Sequence, residues 1–178
     1  RLDGGRIGVT GESSTSRRLL ELLARAYWEI DVEWVPEAEF GQDPTRTLDG
    51  VLMIGDRALE IMADPDRRGW ARAIDLASEW WAWQCLPFVF AVWVVRSGVA
   101  RRDRARFSGF LAGALAVGLE HLEDIAAERA DGLGSAESLH DYLRHITYRL
   151  GSAERDGMRR FRDLLADHDI LEYEGTRA

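Results

Sequence analysis

The chain has 178 residues, of which 46% are hydrophobic and 30% charged, with a formal net charge of -8 at pH 7. That length supports one ordinary domain or two small lobes with a real core, and the acidic balance argues against a nucleic-acid or anionic-membrane partner. The single cysteine, Cys85, excludes an internal disulfide and a paired-cysteine metal or redox site; with no lysine present, a Schiff-base lysine and a phosphate-loop lysine are excluded as well.

Residues 6–10 read as a short buried strand. The hydroxyl-rich stretch 12–16 then leads into Leu19, Leu20, Leu22, Leu23 and Tyr27 at helical spacing. Residues 32–35 alternate like a strand stopped by Pro36, 41–46 form a loop, and 50–54 are a second buried strand. Gly55-Asp56 turns this strand into a helix carrying Ala58, Leu59, Ile61 and Met62, closed by Asp64-Pro65-Asp66. Residues 73–76 are expected as a brief strand and 77–84 as a short aromatic helix. The apolar run from Leu86 to Val95 is too short to span a bilayer and reads as a buried strand. Residues 101–130 suggest one long helix. Leu139, Tyr142, Leu143, Ile146 and Leu150 form a helical stripe ended by Gly151 at C′, Met158 to Leu165 mark a last helix, and Ile170-Leu171 a final strand or docking tail. The β–α alternation of the first half predicts a mostly parallel sheet with ligands at the carboxyl ends of its strands.

Two turns could carry chemistry. Between the first strand and first helix, Ser14, Thr15 and Ser16 put hydroxyls beside free backbone N–H groups, which suits a carboxylate or phosphate; the plainer reading makes Ser13 or Ser14 an N-cap. At the second turn, Gly55 permits close backbone approach, and Asp56 is read first as a helix cap. Trp80 and Trp83, three apart, should share one helix face in the core, leaving Trp81 elsewhere. The four histidines lack metal spacing, and the basic run 101–106 reads as a solvated helix end.

The order Asp75-Leu76, Glu79-Trp80, Trp83, then Leu86-Pro87-Phe88-Val89-Phe90-Ala91-Val92-Trp93 resembles the signature of the chorismate dehydratases of the futalosine route of menaquinone biosynthesis. Glu12-Ser13-Ser14-Thr15-Ser16, Ile54-Gly55-Asp56 with Ala58-Leu59, and Tyr142…Ile146…Tyr148-Arg149-Leu150-Gly151 with Phe161 extend the resemblance along nearly the whole chain. It implies an α/β, two-lobed fold like the type II periplasmic binding proteins, with a helical C-terminal half. Residues 1–86 would form the second lobe, and 87–178 a crossover strand and helices returning to the first. The implied reaction is dehydration of chorismate to an enolpyruvyl-oxybenzoate by a cytoplasmic hydro-lyase without metal or organic cofactor. Its partner would be a small carboxylate substrate, with no nucleic acid or membrane, and a homodimer is left open. The resemblance carries substrate binding to Ser14, Thr15, Ser16, Gly55, Asp56, Gln84 and Cys85. It names no catalytic residue here, because the family's Ser-Tyr-Leu-Asn-type motif has no counterpart and the chain contains no asparagine. The chain therefore reads as the later part of a longer enzyme, inactive alone, with the base elsewhere or supplied by a substrate carboxylate. Where the family has Thr-Gly before Leu-Pro-Phe, this chain has Gln84-Cys85, which alters that corner. Two other readings are a non-catalytic small-anion binding protein of the same fold and the sister dihydroxynaphthoate-forming enzyme.

Overall fold

The computed structural model describes residues 2–40, 44–64, 69–130 and 133–170. They form two compact units, Arg1–Ala91 with Gly151–Ala178 and Val92–Leu150. The strands are β1 (Arg6–Val9), β2 (Glu33–Pro36) and β3 (Gly50–Val51). The helices are α1 (Ser14–Leu22), α2 (Gly55–Ala63), α3 (Leu76–Gln84), α4 (Arg101–Glu120), α5 (Leu122–Arg129), α6 (Ala136–His145) and α7 (Ser152–Asp167). This is a mixed α/β chain with a small parallel sheet and many helices.

In the first unit the sheet order is β2-β1-β3, all parallel, with Ile7 opposite both Trp34 and Gly50. The central strand is buried from Ile7 through Val9, which explains its unbroken apolar character. Of the two cap candidates it is Ser13 that starts α1, its hydroxyl accepting from the Ser16 N–H at 3.1 Å. The helix runs into a π-helical turn, Leu23–Tyr27, closed by the Trp28 N–H donating to the Leu23 carbonyl at 2.8 Å. Leu19, Leu22 and Leu23 pack with Trp80 of α3 and Leu164 and Leu165 of α7 into one core. Each such side chain contributes about 1.5–3 kcal/mol when fully buried. Trp80 meets Trp83, Phe88 and Phe161 edge-on at centroid distances of 6.1, 5.5 and 5.8 Å. Trp81 points away and is exposed. Helix α7 comes close to the chain at Leu86-Pro87 because it has glycine there: a Cβ on Gly157 would lie 2.1 Å from the Pro87 carbonyl oxygen.

The second unit is helical. Helices α5 and α6 pack together and bury Ala126 and Leu139, while α4 buries none of its residues.

Several expected elements change. The predicted strand 73–76 is no strand: residues 73–75 are irregular and lead into α3 at Leu76, where the Asp75 carboxylate caps the helix by accepting from the Ser78 N–H at 2.9 Å. The apolar run 88–95 is no strand, since a strand needs a hydrogen-bonded neighbour and none flanks it among the described residues. Phe88 joins the aromatic cluster instead. The helix predicted over 101–130 breaks at His121, between α4 and α5. Gly151 does not end a helix but begins α7, its N–H donating to the Glu154 carboxylate at 2.8 Å. The second strand spans only Gly50–Val51. Pro65, Asp66, Leu171 and residues 41–43 of the predicted loop lie outside the described residues, whereas Pro44–Arg46 form a 3-10 turn.

Candidate functional site

The three parallel strands end side by side, and the chain leaving each of them lines one shallow cavity of about 50 Å³. Thr10 and Glu12 follow β1; Glu37, Phe40 and Pro44 follow β2; Val51 to Ile54 and Arg57 lead from β3 into α2. All belong to the first unit. The carboxyl ends of the strands are where parallel sheets in general meet their ligands.

A polar network ties the rim together. Thr10 is buried, and its hydroxyl donates to Glu37 Oε2 at 2.9 Å while accepting from the Glu12 N–H at 3.2 Å. The other Glu37 oxygen faces Arg57 Nη1 at 3.7 Å, a loose pair whose side chains are 78% (Arg57) and 43% (Glu37) exposed. An exposed pair of this kind is worth about 0–1 kcal/mol. Phe40 can reach under β1 because Gly8 has no side chain: a Cβ there would come within 2.6 Å of the Phe40 ring. The small size of Gly8 thus holds one wall of the cavity in place.

None of the seven residues expected at the site lines this cavity. Ser14, Thr15 and Ser16 stand together at the start of α1, just beyond Glu12. Ser14 is exposed and Thr15 half-buried, and their backbone N–H groups have no partner among the described residues. Ser16 is buried, and its hydroxyl accepts from Ser13 at 2.9 Å. Gly55 has φ +62, and a Cβ there would touch nothing. Its glycine therefore serves the left-handed turn between β3 and α2 rather than close packing. Asp56 is exposed in the first turn of α2, and the cap position belongs to Ile54, correcting the cap role first read for Asp56. Gln84 and Cys85 lie at the other end of α3, where Gln84 Oε1 accepts from Arg160 Nε of α7 at 2.8 Å. Cys85 is exposed with φ 53 and ψ 30. The Gly that the family resemblance expects there meets a backbone need, a left-handed helix C-cap.

Among the described residues, no three of His, Cys, Asp and Glu are grouped as metal ligands, and no helix is long and apolar enough to cross a membrane. Sequence reading missed Glu37, Phe40 and Arg57. Glu37 and Phe40 come from the turn after β2 and Arg57 from α2, and only the register of the sheet brings these two segments together. The one local signal was Arg57, which fills the variable place in the Ile-Gly-Asp-x-Ala-Leu turn.

Residues 1–167 match the menaquinone biosynthesis family. The chain is also 32% identical over 173 residues to the chorismate dehydratase of Thermus thermophilus, an alignment covering 90% of this chain and 62% of that relative. It thus spans less than two thirds of the relative's length.

Proposed function

As the chain belongs to the menaquinone biosynthesis family, we propose that it works as a chorismate dehydratase, a carbon–oxygen lyase. The observation that carries this reading is the 32% identity, over most of the chain, to a protein of that name. In the proposed reaction a ring proton and the ring hydroxyl leave as water, and the cyclohexadiene becomes a benzene ring carrying the enolpyruvyl ether. Aromatisation supplies the driving force, so the protein has to orient the substrate and assist one proton transfer.

The start of α1 supports a binding role. Two backbone N–H groups and the hydroxyls of Ser14 and Thr15 sit at the carboxyl end of the central strand, suited to one carboxylate of chorismate. Ser16 contributes through Ser13, whose hydroxyl it fixes. The two-lobed arrangement, with Gly55, Asp56 and the Gln84-Cys85 corner facing a cleft, belongs to the same proposal, as does a cytoplasmic setting.

The test is direct. Incubation of the full-length protein with chorismate should consume it, with an aromatic product identified by chromatography and mass. Saturable binding without turnover would favour the non-catalytic anion-binding reading. Ser14→Ala combined with Thr15→Val should weaken chorismate binding by at least tenfold, since each charge-assisted hydrogen bond is worth about 1.5–3 kcal/mol. Calorimetry showing unchanged affinity in a folded variant would remove this turn from the site.

A further inference from the structure

The cavity at the strand ends lies apart from the residues first expected to bind substrate, and it contains one cation, Arg57, among its lining residues. Its volume of about 50 Å³ is well below the roughly 150 Å³ of a cavity that takes a benzene ring, which leaves room for a carboxylate head and not for a ring. The groups already there show what it accommodates. A carboxylate, that of Glu37, lies between a hydroxyl donor and a guanidinium, 2.9 Å from Thr10 Oγ1 and 3.7 Å from Arg57 Nη1. The grip on Arg57 is loose and largely exposed, so a ligand carboxylate can take over the guanidinium at little cost. Glu12, also on the lining, opposes any incoming anion, so the site favours a ligand anchored elsewhere as well.

Resting on the chorismate reading above, we propose that Arg57 selects for a dicarboxylate. The substrate's first carboxylate meets the start of α1, and its second replaces Glu37 on Arg57. Glu37 is then a built-in competitor that occupies the guanidinium in the free protein. The swap exchanges one carboxylate for another on the same cation, so no bond forms or breaks and no proton need move.

The experiment compares two ring carboxylates by calorimetry on the full chain: chorismate, with its enolpyruvyl carboxylate, and shikimate, which has only the ring carboxylate. Arg57→Ala should weaken chorismate at least tenfold and leave shikimate within twofold. Arg57→Lys, which keeps the charge but not the planar fork, should recover part of the loss. Glu37→Gln removes the competing charge and should tighten chorismate about threefold or more. Thermal melting of all three variants near the wild-type value marks these as binding effects. Equal loss for both ligands in Arg57→Ala, or none, overturns the proposal while leaving the functional reading intact. No chorismate binding by the unaltered chain overturns that reading and this proposal with it.

Discussion

The two units bury their apolar residues very differently. Of the buried hydrophobic side chains among the described residues, twelve lie in Arg1–Ala91 with Gly151–Ala178 and two, Ala126 and Leu139, in Val92–Leu150. Exposed large hydrophobics show the reverse, with Trp93 and Val94 each 80% exposed and Phe110 71%. Apolar content alone does not make a core; side chains must converge from several elements. Leu19, Leu22, Trp80, Leu164 and Leu165 converge from three helices, whereas α4 buries none of its residues.

The largest test of this contrast is a pair of tryptophan truncations. Trp80→Ala should cost about 3–5 kcal/mol, because it empties the centre of the aromatic cluster. Trp93→Ala, which loses mainly an edge contact with Phe107 at 6.3 Å, should stay within about 0.5 kcal/mol. Urea unfolding followed by far-UV circular dichroism checks both. Similar costs at the two positions would break the comparison.

Glycines in α7 and α4 sharpen it. Gly157→Ala forces a methyl against the Pro87 carbonyl, and the overpacking should destabilise by about 1–3 kcal/mol. Gly113→Ala in α4 meets nothing within 4 Å and should stabilise that helix by about 0.8–1 kcal/mol through propensity. Opposite shifts in thermal melting are expected from the same chemical change.

Cys85→Gly tests the left-handed cap of α3; Glu29 and Asp169 are the other non-glycine residues with positive φ among the described residues. Relief of the αL conformation gains about 1–2 kcal/mol, and the freer unfolded chain offsets about half of it, so net stabilisation of up to about 1 kcal/mol is expected. A lowered melting temperature would mean that the thiol packs in a way its exposure does not suggest.

The smallest effect lies in the second unit. Partial burial, and secondarily the neighbouring Tyr142, raise the Tyr148 phenol above its ordinary value of 10.0, although the residue stays 42% exposed. Because the folded state favours the protonated phenol, its contribution is present below pH 10 and lost as the pH climbs through the raised value. The phenolate absorbance of this tyrosine, isolated as the difference between wild type and Tyr148→Phe, should therefore emerge later than that of an exposed tyrosine. A midpoint at or below the ordinary value would show that the local burial is absent in solution.

What the sequence determined by itself was local or periodic. A serine cap at residues 13–14, the shared face of Trp80 and Trp83 and each piece of the family signature depend on residues within a few positions of one another, and the β–α alternation on the period of the apolar residues. Tertiary structure decided the rest. Whether residues 88–95 form a strand depends on a neighbouring backbone, which no property of the run itself supplies. Whether Gly151 closes one helix or opens the next depended on Glu154 reaching back to its N–H. The cavity joins Thr10, Glu37 and Arg57 from three segments, and their meeting follows from strand register, which sets non-local neighbours by hydrogen bonding between strands that are distant in the chain.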